Sequence, residues 1–279
     1  PAGALLPVLF ATALAGSLLL VLGPTTGARL AAGLVVGLGT SLLYPGAMDR
    51  LFRLAPDASV AVGGLTAAGL LAMLNPKFAA AQVVAKDDKR LNADYLYYDS
   101  PSGYGKMRGY LARPAAASGK LPGILVVHEN RGLNPHIEDI ARRLALDGYV
   151  AFAPDALTPL GGYPGDEDKA RALFPQLDQA KTREDFVAAA NLLKNRPDCT
   201  GRYGVVGFCY GGGMAHTLAT RLPDLAAVVP FYGNHPPAAD AAKVKAPLLI
   251  HFAGVDERIN AAWPAYEAAL KAAGVRYAA

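Results

Sequence analysis

The stretch GFCYGGG, Gly207–Gly213, sets a cysteine among glycines directly after the apolar run YGVVGF. An inert buried thiol has no need of small neighbours on both sides. A nucleophile held on a sharp strand-to-helix turn does, because that turn strains the dihedrals of Cys209 and brings side chains at positions 207 and 211 into collision. Helix amides from about Tyr210 onward would then point at the sulfur, and their partial positive charge favours the thiolate. The Tyr210 N–H is also one half of a natural oxyanion hole. A thiol so placed can attack an acyl carbonyl. The competing reading is a glycine-rich turn around a structural cysteine.

The other cysteine does not compete for Cys209. Cys199 precedes the apparent strand Tyr203–Phe208 and Cys209 follows it. Five or six extended residues span roughly 16–20 Å, whereas bridged Cα atoms lie within about 7 Å. Cys209 therefore reads as a free thiol. GFCYGGG lacks the Gly-Lys-Ser/Thr ending of a phosphate loop, and no cluster of histidine, cysteine and acid has ligand spacing. Neither a cofactor nor a metal is implied. A net charge of +4 spread over interleaved acids and bases gives no basic surface for nucleic acid.

The elements around the turn alternate from about residue 94. ADYLYY and MRGYLARP, joined by DSPSGYGK, read as an antiparallel hairpin. GILVVHE has the unbroken apolar texture of a buried parallel strand. A helix follows, with Asn134 as N-cap, Pro135 in its first turn, a face of Ile137, Ile140, Ala141 and Leu144, and Gly148 at its end. YVAFAP is the next strand, and DALTPLGGYPGDEDKA a long loop of the kind that lines sites. Phe186, Ala189, Ala190 and Leu193 stripe a further helix. Then come YGVVGF, a helix from Gly211, LAAVVPFYG, PLLIHFAG, a helix through AAWPAYEAALKAAG, and a last strand opening at VRYAA. This order predicts a mostly parallel sheet with helices on both faces.

Residues 1–81 differ. Hydrophobic residues make up 52% of the 279, and their excess lies before Lys77. Uncharged runs at 1–28 and 30–48 are long enough to cross a bilayer. A third, ASVAVGGLTAAGLLAMLNP, follows Arg50 and Arg53 and precedes Ala79 and Ala81, an A-x-A pattern before Gln82. It reads either as a cleaved secretory signal or as an anchor, and both deliver residues 82–279 across the membrane. The expected organisation is thus a transmembrane or signal region followed by one exported α/β domain.

From Gln82 to Ala279 the chain resembles the dienelactone hydrolase family, α/β-hydrolases with a cysteine nucleophile. LVVHENRGLNPHIEDIARRLALDGYVAFAPD, YGVVGFCYGGG and LLIHFAGVDERI carry the likeness, in the family's order. The resemblance implies cleavage of a small ester or lactone with Cys209 as nucleophile and Asp256 orienting a histidine. It implies that Glu129 lies beside the thiol and helps generate thiolate, and that the Asn130 N–H completes the oxyanion hole with that of Tyr210. A thioesterase on the same scaffold is the near alternative. Asp256 also reads as a helix cap, and Glu129 as a structural partner of His128.

The family's histidine follows the acid by a helix and a strand, whereas His128, His136, His216, His235 and His251 all precede Asp256. The expectation drawn is a chain cut at its end and impaired as it stands, or else a pseudoenzyme that keeps the fold for binding. Of the five, His235 in the loop GNHPP lies at the strand ends where sites form, and His216 should face away from the mouth.

Overall fold

Alternating side chains and a glycine-rich turn build the first hairpin. Strands β1 (Leu91–Ser100) and β2 (Gly105–Pro114) pair antiparallel from Leu91 opposite Pro114 to Ser100 opposite Gly105. The computed structural model describes residues 82–279. The membrane or signal segments expected before Gln82 lie outside the described residues, among which no helix is long and apolar enough to cross a membrane.

Strands β3 (Leu121–Val127), β4 (Val150–Pro154), β5 (Cys199–Phe208), β6 (Ala227–Phe231), β7 (Leu248–Leu249) and β8 (Tyr277–Ala278) complete an eight-stranded sheet. Its order is β1-β2-β4-β3-β5-β6-β7-β8. β2 meets β4 antiparallel, and every pairing from β4 to β8 is parallel. The central strands are covered on both faces, with Ile124 through Val127 at 0% exposure, which is why they read as unbroken apolar runs.

Between these strands run α1 (Pro135–Leu146), α2 (Glu167–Leu173), α3 (Gln179–Asn195), α4 (Tyr210–Arg221), α5 (Glu257–Asn260) and α6 (Trp263–Ala272). Leu125, Val127, Val205 and Val228 share one core with Phe186 and Leu193 of α3 and Leu218 of α4. The alternate strand residues point to the other face, where α1 buries the stripe Ile137, Ile140, Ala141 and Leu144. Asn134 caps α1 as expected, its Oδ1 accepting the Ile137 N–H at 3.1 Å.

The chain runs from β3 out to β4 and crosses back over β3 to β5. Strand order therefore reverses at β3, and the crevice at such a reversal, beyond the strands' carboxyl ends, is where sheets of this type bind ligands. Glu129 and Asn130 leave β3 at that crevice, and Cys209 leaves β5 beside them.

Three boundaries differ from the sequence reading. DALTPLGGYPGDEDKA is not one loop. Buried Asp155 gathers its first half, accepting from Leu157 N, Tyr163 N and the Arg108 guanidinium at 3.1 Å each. Asp166 then caps α2 through the Lys169 N–H at 2.8 Å. The late helix runs as α6 from Trp263, with Pro264 in its first turn, and a separate short helix α5, capped by Asp256, precedes it. The helix expected from Gly211 begins at Tyr210. Both cysteines are free thiols.

Glycine is required where α4 starts. A Cβ on Gly211 would lie 2.2 Å from the Val127 carbonyl oxygen. Gly211→Ala should therefore cost about 1–3 kcal/mol through overpacking against fixed backbone. Urea unfolding measures it, and an unchanged midpoint would contradict this packing.

Candidate active site

Cys209 stands at φ 52°, ψ −109° between β5 and α4. A left-handed φ strains a residue bearing a side chain and persists only where its surroundings enforce it. Here they do. The Cys209 N–H donates to the Phe231 carbonyl at 3.0 Å and the Cys209 carbonyl accepts the Gly213 N–H at 3.1 Å. A Cβ on Gly207 would fall 2.0 Å from the Gly211 oxygen, so strand and helix close on each other at contact distance. The thiol is pushed out of the turn into a pocket of about 720 Å³.

Asn130, Cys209 and Tyr210 line that pocket together, with Tyr232, Asn234 and Arg258 at the same mouth. Glu129 stands behind them. Its Oε1 accepts the Tyr232 hydroxyl at 3.0 Å, and its charge is felt at the thiol. Tyr232 is the other non-glycine residue with left-handed φ among those described, at 38°, held by its N–H to the His251 carbonyl at 2.7 Å.

The matching family model is that of the dienelactone hydrolase family, over residues 107–278. The chain belongs to the dienelactone hydrolase family. It is 54% identical over 114 residues to the Escherichia coli K12 protein described as "Putative hydrolase fragment YghX", a match covering 41% of this chain and 97% of that one. It is 34% identical over 173 residues to a "Putative carboxymethylenebutenolidase" of Salmonella typhi, covering 57% of this chain and 64% of that protein's length. Among solved structures it is similar to the dienelactone hydrolase-like promiscuous phosphotriesterase P91 from metagenomic libraries. That likeness has a TM-score of 0.58 and 26% identity, over 68% of this chain and 80% of the other. The α/β-hydrolase fold expected from the sequence is the fold observed.

Within this dienelactone hydrolase domain the thiol is kept protonated at rest. Burial is the first cause of a raised Cys209 pKa, and the Glu129 carboxylate is the second. The Tyr210 N–H and Arg258 act in the opposite direction, while Asp256 adds to the rise. The helix amide thus favours the thiolate, as the sequence reading held, but it is outweighed. Burial and Glu129 push the Tyr232 hydroxyl up in the same way, so it remains a donor to the carboxylate.

Asp256 lies next to the pocket rather than in its lining. Its Oδ1 accepts the Ile259 N–H at 3.1 Å, so it does cap α5. Arg258 does not pair with it and instead reaches Asn234.

The five histidines are engaged elsewhere or unoriented. His128 is buried, with Nε2 accepting the Ala156 N–H at 3.1 Å, so Nδ1 carries the proton that meets the Glu129 carbonyl at 2.6 Å. It braces the loop bearing Glu129 and Asn130. His136, on α1, is depressed by burial. His216, on the buried face of α4, is sealed against Tyr266, with its pKa driven down to about 3 by burial and then by His235. His235 does line the pocket, but its ring stacks on Tyr266 at 5.0 Å and contacts Trp263 and Phe252. No carboxylate orients it among the described residues. His251 lies flat on Phe231 at 4.3 Å.

Sequence reasoning missed Tyr232. Its only local signal is an aromatic residue before a glycine at a strand end, and its partner Glu129 is 103 residues away. Because burial and Glu129 both raise the thiol pKa, alkylation of Cys209 should titrate above the ordinary thiol value of about 8.5. Glu129→Gln removes one cause and should move the midpoint down. An iodoacetamide rate profile against pH reads both, and a midpoint below that value in the parent protein would contradict this electrostatic assignment.

Proposed function

We propose that the chain hydrolyses small carboxylic esters or lactones through a thioester at Cys209. The supporting observation is the strained thiol at the crevice of a dienelactone hydrolase fold, with Asn130 and Tyr210 on the same pocket wall. The thiol proton passes to the Glu129 carboxylate as Sγ attacks the carbonyl carbon. An Sγ–C bond forms, and the carbonyl electron pair moves onto oxygen between the Tyr210 and Asn130 N–H groups. Collapse breaks the ester C–O bond. Water then attacks the thioester, the Sγ–C bond breaks as the acid is released, and the Glu129 carboxyl returns its proton to Sγ.

An enolate or phenolate departs without help from a general acid, whereas an alkoxide of a simple alcohol needs one. Among the described residues no histidine is placed as Asp256's partner. Activated esters and enol lactones are the substrates this arrangement fits. Weak turnover of other esters is part of the same proposal, as is export, which rests on the arginine-flanked apolar run and the Ala79/Ala81 pattern.

The second reading is a binding module on the hydrolase fold. It is favoured by the commitment of Asp256 Oδ1 to the α5 cap. Rates with p-nitrophenyl acetate, an enol lactone and ethyl acetate separate the two. The expected result is turnover of the first two, at least about 100-fold slower turnover of ethyl acetate, and loss of both activities in Cys209→Ala. Absence of any Cys209-dependent hydrolysis would leave the binding module in possession.

A further inference from the structure

The pocket is larger than a small lactone needs, and its surplus has a direction. Beyond the mouth it is floored by Tyr210, Gly213, Met214, Thr217 and Thr220 of α4. At 3.6 residues per turn these positions fall within an arc of about 120°, and from Tyr210 to Thr220 the helix advances about 15 Å. The cavity is thus a furrow along one face of α4 that begins at the nucleophile. Gln179 and Arg183 of α3 wall one side, and Pro236 and Pro237 the other.

The furrow's hydroxyls, its glutamine oxygen and its aspartate are already engaged. Thr217 Oγ1 donates to the Gly213 carbonyl at 3.0 Å and Thr220 Oγ1 to the Thr217 carbonyl at 2.8 Å. Gln179 Oε1 accepts the Tyr210 hydroxyl at 3.1 Å, and Asp240 is paired with Lys243 at 2.6 Å. Apart from the Arg183 guanidinium and the His235 ring nitrogens, the furrow offers a ligand methyl groups, the Met214 side chain, proline rings and the aliphatic stem of Arg183. That lining takes an unbranched apolar chain rather than a sugar or a peptide.

We propose that this furrow is an acyl-chain subsite, and that the enzyme accepts linear acyl groups reaching from Cys209 toward Thr220. The inference rests on Cys209 being the acylated group. The acyl part is assigned to the furrow because it alone stays on Sγ through both halves of the reaction, whereas the alcohol departs after the first. Two positions act as a ruler. Thr217 lies about 10 Å along the helix from Tyr210 and Thr220 about 15 Å. A tryptophan at 217 should therefore stop medium chains, and one at 220 only the longest.

The test is independent of hydrolysis. N-alkyl iodoacetamides from methyl to dodecyl are reacted with the full chain at alkaline pH, and the Cys209 adduct is quantified by mass spectrometry. The octyl-to-methyl rate ratio should exceed the ratio for urea-unfolded protein about tenfold. Thr217→Trp should abolish that excess for octyl and dodecyl, and Thr220→Trp for dodecyl alone. A ratio equal to that of the unfolded chain, with Cys209 still alkylated, overturns the subsite and leaves the nucleophile standing. Equal loss in both variants at every length also overturns it. Failure of Cys209 to react even with iodoacetamide overturns the nucleophile and the subsite together.

Discussion

The approach of α4 to β5 at Cys209 is the constraint on which the site depends. A Cβ at Gly207 would sit 2.0 Å from the Gly211 oxygen, and one at Gly211 would sit 2.2 Å from the Val127 oxygen. Only bare backbone lets the helix start so close to two strand ends. The same closeness fixes Cys209 at a left-handed φ and turns the Tyr210 N–H toward the sulfur. It also brings the carboxyl end of β3 alongside, so that Asn130 shares the pocket wall. Loosening the turn would misplace at once the thiol and the amides proposed as nucleophile and oxyanion donors.

A second feature follows from burial at that turn. The thiol is half-enclosed and faces the Glu129 carboxylate, so its resting form is neutral. Tyr232 secures the carboxylate and is itself kept protonated by the same burial and charge. His128 fixes the backbone of the loop from below. Such an arrangement holds a protonated thiol next to a carboxylate, which slows oxidation of the cysteine, since oxidants act on the thiolate.

How far the sequence disclosed this depended on whether the signal was local. GFCYGGG announced the elbow because steric demand at a tight turn is written in neighbouring residues. The Asn134 cap and the helical stripes of α1 and α3 were legible for the same reason. The division of Asp155–Ala170 was not, because its organiser is a buried aspartate whose partner Arg108 lies on β2. Tyr232 was missed because the bond that gives it meaning spans 103 residues. The prevailing charge at Cys209 was misjudged by weighing the helix amide without the burial that outweighs it. Asp256 was read both as triad acid and as helix cap, and the cap is the contact observed.

The most direct measurement is the intact mass of the protein quenched in acid during reaction with p-nitrophenyl acetate. A Cys209 thioester as the reaction's intermediate predicts a transient species heavier by one acetyl group. The added mass should map to the peptide bearing Cys209, be released by neutral hydroxylamine, and be absent from Cys209→Ser treated alike. Hydrolysis that proceeds with no acetyl on Cys209, or with the acetyl on another residue, would contradict it.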